Sequence, residues 1–259
     1  MSQNQYKNVT HCIFDMDGLL LKVNKISMAI IKKYEEYRLK YTMHLYGQID
    51  TELLYTEAFN RVINLYGKEF TWEHKAKIMG FKSKDVGQAL IEMFSLPITV
   101  EEFENKITKI YQELFPSANL MPGAEQLLQH LKQNNIPIAL ATSSNKENFE
   151  LKTQRWKNIF DLFNHKVLGG SDPDVINGKP APDIFLTAAK RFIDNPDPSK
   201  CLVFEDAPNG VKAAFNAGMQ VVMVPDPMLP NHYIENPTLI LNSLEEFQPE
   251  LFGLPPYNR

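Results

Sequence analysis

Short apolar runs of strand length recur along the chain at His11–Phe14, Pro137–Ala141, Lys166–Leu168, Cys201–Phe204 and Gln220–Val224. Between the later runs, apolar residues return with helical spacing near Ala124–Asn134, Lys146–Trp156, Asp183–Phe192 and Ala207–Ala217. Strands alternating with helices in this way predict a parallel sheet wrapped by helices, a doubly wound α/β core. In such sheets ligands gather beyond the carboxyl ends of the strands, so the residues just after each run carry the functional interest. From Thr51 to about Ser117 the pattern changes. Leu53–Tyr66, Glu73–Met79, Lys84–Phe94 and Glu101–Phe115 read as amphipathic helices with no strand signal among them. This stretch is expected to form an all-helical domain inserted after the first strand, and Met121-Pro122-Gly123 marks the return to the core.

The first strand runs into Asp15-Met16-Asp17-Gly18. Strand alternation turns Asp15 and Asp17 to one side and Met16 into the core. Two crowded carboxylates repel unless a cation lies between them, and Gly18 lets the chain turn away without filling that space. The pair suits a metal-assisted nucleophile with an acid/base partner, although Asp is also common in simple turns. After the run ending at Ala141 come Thr142-Ser143-Ser144-Asn145 and a helix. Hydroxyls and free amides there make a phosphate site or an ordinary N-cap. Gly178-Lys179-Pro180 offers a lysine in a stiff turn, and Glu205-Asp206 follow the run Cys201–Phe204. Those carboxylates could bind a metal or cap the next helix.

Composition narrows the setting. The 259 residues are 44% hydrophobic and 22% charged with a net charge of −4. There is ample apolar content for a core and no basic field to recruit nucleic acid or a membrane. No apolar stretch is long enough for a bilayer span, and the first residues lack the apolar stretch of a signal peptide. A cytoplasmic monomer is the expectation. Cys12 and Cys201 fall in apolar runs and read as buried reduced thiols.

The ordered set, Asp-x-Asp, Thr/Ser, a loop lysine and Glu-Asp, each at a strand end, resembles the haloacid dehalogenase-like hydrolase superfamily. The resemblance is to its phosphatases with a helical cap. The runs Phe14–Leu21, Leu120–Glu125, Ala139–Ser144, Cys201–Gly210 and Ala217–Asp226 carry it. It implies a Rossmann-like core over 1–21 and 118–259 and a helical cap over 50–117. It also implies a Mg²⁺-dependent phosphatase acting on a small phosphorylated metabolite through an aspartyl-phosphate. Pseudouridine 5′-monophosphate is the first expected substrate; another sugar- or polyol-phosphate, or phosphomutase chemistry, is the alternative. On this resemblance Asp15 is the nucleophile and Asp17 the acid/base. Thr142, Ser143 and Lys179 hold the phosphate, while Asp15, Asp17, Glu205 and Asp206 surround the metal. Gly80 and Lys82, in a loop between two cap helices, are candidate substrate contacts; a plain surface lysine is an equal reading of Lys82.

Residues 22–49 depart from that pattern. In the family Asp-Gly-Leu-Leu-Leu runs directly into Asp-Thr-Glu, which here begins only at Asp50. The 28 intervening residues hold six Lys/Arg and two Glu, and sixteen are Lys, Ile, Tyr, Met or Asn, types with AT-rich codons. That bias reads as a retained intron or gene-model error. As protein, the segment could form a basic helix at the hinge between core and cap and impair catalysis.

Overall fold

The computed structural model describes residues 6–23, 51–71, 74, 78, 83–227, 229, 233, 234 and 236–257. Residues 24–49 of the departing segment, most of the Glu73–Met79 helix, and the candidates Gly80 and Lys82 lie outside them.

Six parallel strands build the main sheet: β1 His11–Phe14, β4 Ile138–Thr142, β5 His165–Leu168, β6 Cys201–Glu205, β7 Gln220–Met223 and β8 Leu239–Ile240. Their order is β5-β4-β1-β6-β7-β8. The chain therefore steps outward from β1 through β4 to β5, then returns to β6 on the other side of β1. Order reverses beside β1, and a crevice for ligands belongs at such a switch point. The ends of β4, β1 and β6 meet there, with Phe14 in register with Leu140 and Phe204.

Both faces of this sheet are covered, which is why its strands read as unbroken apolar runs. Cys12, Phe14, Leu140, Leu202 and Phe204 face one apolar cluster; Ile13, Ala139, Ala141, Cys201 and Val203 face the other. The second cluster is closed by α7 (Asp183–Lys190) and α8 (Pro208–Asn216), through Phe185, Ala188, Val211 and Ala214. The first is closed by α4 (Ala124–Gln133), α6 (Lys157–Phe160) and the turns holding Phe247 and Phe252. Phe14 stacks on Phe204 at 4.5 Å between ring centres. Cys12 and Cys201 are buried and unbridged, and burial pushes the Cys12 thiol up, with Cys201 adding to the shift.

Two short strands, β2 (Leu21–Val23) and β3 (Ala118–Leu120), pair antiparallel beside the sheet. Lys22 and Val23, the first residues of the departing segment, take part, opposite Asn119 and Ala118. Between these strands the described residues include three helices: α1 (Thr51–Asn64), α2 (Ser83–Phe94) and α3 (Val100–Leu114). The sequence of α3 explains its form. Phe103, Ile107, Tyr111 and Leu114 share one buried face. Thr99 and Glu102 close a capping box, each side chain accepting from the other's backbone amide. These helices bury Ala58, Val62, Leu90 and Phe103 in the same apolar cluster as Phe14. α5 (Lys146–Thr153) follows β4 and is capped by Asn145, whose side chain accepts from the Asn148 amide at 2.8 Å.

Candidate active site

Strand β1 stops at Phe14, so strand alternation does not carry through to Asp17. A tight turn does the placing. The Gly18 amide donates to the Leu21 carbonyl at 3.1 Å, and those of Leu20 and Leu21 to Met16 at 2.9 and 3.0 Å. Gly18 sits at φ 88°, a left-handed conformation that side chains resist. Met16 is fully buried, as its place between the two aspartates implied.

Asp15 is buried and meets Lys179 just beyond the end of β1. The Lys179 ammonium donates to Asp15 Oδ1 at 2.5 Å, to Glu205 Oε1 at 2.7 Å and to the Ala141 carbonyl at 3.2 Å. The ends of three separate strands, β1, β4 and β6, thus converge on one cation from the loop after β5. Glu205, only 1% exposed, is held on its other oxygen by the amides of Asp206 and Ala207, each at 2.9 Å. Asp206 joins the group: one carboxylate oxygen each from Asp15, Glu205 and Asp206 lie within 4.8 Å of one another.

Electrostatics follow from that crowding. Burial pushes the Asp15 carboxyl up to about 7; Lys179 opposes the shift, while the charges of Glu205 and Asp17 add to it. Burial works against the Lys179 charge, but the carboxylates of Asp15 and Glu205 outweigh it and raise the ammonium above its usual range. Three carboxyl groups therefore crowd around one ammonium. That donor set of hard oxygens fits a divalent cation such as Mg²⁺.

Thr142 is buried at the end of β4, and its hydroxyl accepts from the Ser144 amide at 3.2 Å. Ser143 is exposed beside it. Asp17 points to a different partner. The Lys152 ammonium donates to both its oxygens, at 2.8 and 2.9 Å, and the Ser144 hydroxyl donates to Oδ2 at 2.9 Å. Sequence reasoning missed Lys152, because a lysine in the charged helix Lys146-Glu-Asn-Phe-Glu-Leu-Lys-Thr153 reads as solvated. The signal was a strand-end aspartate in need of a second cation.

The family described as haloacid dehalogenase-like hydrolase matches residues 9–218. The chain belongs to the haloacid dehalogenase-like hydrolase family. A Drosophila melanogaster protein named probable pseudouridine-5′-phosphatase is 46% identical over 257 residues, covering 99% of both chains. The Arabidopsis thaliana (DL)-glycerol-3-phosphatase 2 is 43% identical, over 96% of this chain and 93% of its own. Phosphoric monoester hydrolysis is the chemistry those names share, and the enzyme class expected from the sequence stands. Among solved structures, CbbY from Rhodobacter sphaeroides in complex with phosphate aligns with a TM-score of 0.67. It is 21% identical, over 92% of this chain and 96% of its own, a likeness of fold. Among the described residues of this family member, no helix is long and apolar enough to cross a membrane.

Proposed function

We propose that this enzyme hydrolyses a small phosphomonoester through an aspartyl-phosphate on Asp15, with pseudouridine 5′-phosphate as the preferred substrate. The observation that carries the reading is Lys179, bridging Asp15 and Glu205 beside Asp206 where β4, β1 and β6 end. Kinship with a full-length relative named for pseudouridine 5′-phosphate supports the substrate. A similar relative named for glycerol 3-phosphate makes that ester the second candidate.

An Oδ of Asp15 attacks phosphorus and the bond to the leaving oxygen breaks. Asp17 delivers a proton to that oxygen, then takes one from the water that opens the acyl phosphate, releasing phosphate and restoring Asp15. Lys179 and the Thr142 hydroxyl, with Ser143 at the rim, face the non-bridging oxygens. Such positioned donors supply most of the catalysis in phosphoryl transfer. Asp15, Asp206 and the main-chain carbonyl of Asp17 would hold Mg²⁺, with Glu205 engaged mainly in fixing Lys179 and the loop. The ion would neutralise charge on the transferring group and keep Asp15 ionised. The helices between β2 and β3 act as the cap that closes over the ester, with residues 50–117 as its extent and Gly80 and Lys82 as its substrate contacts. The enzyme works in the cytoplasm as a monomer.

Acid-quenched reactions with ³²P-labelled substrate test the route. Wild-type protein is expected to retain label on Asp15, and Asp15→Asn to lose both label and turnover. Full turnover by Asp15→Asn would remove the nucleophile.

A further inference from the structure

Lysine is rarely buried completely, and then only with partners that satisfy its charge. Lys152 is 0% exposed and sits at the C-terminal end of α5, where its ammonium closes a small polar knot. It contacts Asp17 Oδ1 and Oδ2 and the Ser144 hydroxyl, at 2.8, 2.9 and 3.0 Å, and Ser144 completes the triangle by donating to Asp17. A further neighbour comes from the end of α3. The Phe115 ring lies 4.7 Å from the ammonium, and this buried phenylalanine follows α3 directly and stacks on its Tyr111 at 4.5 Å. A cation over an aromatic face is attracted to it, more strongly when water is excluded.

We propose that Lys152 is the positioning residue for Asp17, fixing the direction in which that carboxyl presents its proton and tying it to the end of the helical unit. The inference rests on the assignment of Asp17 as acid/base. Asp17 is 22% exposed and stands on a turn, so without the clamp its side chain has other rotamers to visit. With both oxygens gripped by groups of the α5 segment, one orientation is selected. Positioning of this kind separates a working proton donor from a nearby carboxyl. Ser144 is the second member of the clamp. Phe115 makes the clamp sensitive to where α3 ends.

The leaving group discriminates this role from simple support of the fold. An alkoxide needs a proton as it departs, whereas 2,4-dinitrophenolate departs without one. In Lys152→Met, kcat/KM for pseudouridine 5′-phosphate or glycerol 3-phosphate is expected to fall by about 10²–10³-fold, within the range set by loss of general acid catalysis. For 2,4-dinitrophenyl phosphate it is expected to fall by less than about tenfold on the same grounds. Stopped-flow traces of that ester should then show a burst of phenolate before a slow steady rate, because opening of the phosphoenzyme still needs Asp17. Ser144→Ala, a milder change that leaves the ammonium in place, should shift the ratio of the two esters in the same direction. Lys152→Arg should recover part of the loss. An equal fall with both esters, or an unchanged ratio in both Lys152→Met and Ser144→Ala, overturns the inference. If Lys152→Met does not fold, the Ser144→Ala ratio decides alone. Absence of any phosphoenzyme in the wild type would instead overturn the catalytic reading on which the inference rests.

Discussion

Gly210→Ala sets two physical effects against each other. Helix propensity favours Ala over Gly by about 1 kcal/mol in a helix interior, and Gly210 lies within α8. Space argues the opposite way. A Cβ at position 210 would lie 1.7 Å from Glu205 Oε1 and 1.9 Å from its Cδ. The carboxylate is buried and has to move, leaving Lys179 and the amides of Asp206 and Ala207. Hydrogen bonds to charged groups contribute about 1.5–3 kcal/mol each, so losing even two exceeds the propensity gain by roughly 2 kcal/mol or more. At about 2–4 °C per kcal/mol for a chain of this size, Tm should drop by roughly 4–8 °C. Lys179 loses one of its two carboxylate anchors, and a displacement of about 1 Å in a phosphate-holding group can cost roughly a hundredfold in rate. Thermal melts and kcat/KM on one preparation measure both effects. A Tm equal to or above the wild type, with undiminished kcat/KM, would refute the role given to this contact.

Other expected outcomes follow from single contacts. Lys179→Met should lower kcat by about 10²–10³-fold, the usual cost of removing one preorganised donor, while a far-ultraviolet spectrum shows the fold retained. Thr99→Ala removes the capping box of α3 and should cost about 1 kcal/mol in urea unfolding, with Thr99→Gly costing only a few tenths. His165 has its pKa lowered from 6.5 by burial; the hydrogen bond to the Ala188 carbonyl opposes that shift and Arg191 reinforces it. Below about pH 6.5 the unfolded chain binds a proton that the folded state resists, so stability declines as pH falls through the folded pKa. His165→Gln should shrink the difference in Tm between pH 7.5 and pH 5.5.

The four interior strands and the helices between them were legible because burial on both faces writes a strand as an unbroken apolar run, as in Cys12-Ile-Phe14 and Leu202-Val-Phe204, and the edge strand β5 was read with them. Asp15, Thr142, Lys179 and Glu205 were found for a related reason, since each closes or follows such a run. What escaped notice depends on distant partners. β2, β3 and β8 have three, three and two residues and leave no local period. β2 becomes a strand only because Leu21 meets Leu120, almost a hundred positions later. Lys152 was invisible for the same cause, its meaning lying in Asp17 on another loop. Glu205, read as a residue of the metal's surroundings, also accepts from Lys179 and two backbone amides. Charge spacing could not reveal that, because the amides belong to the backbone.

The β2–β3 ribbon has a consequence for how this chain tolerates change. Leu21 and Leu120 stand opposite each other where the polypeptide departs and comes back, so the described helices between them are joined to the sheet like a cassette, through adjoining contacts. Material can be added to or exchanged within such a cassette while the register of the parallel strands stays untouched. Change there can therefore arise without renegotiating the sheet beneath it.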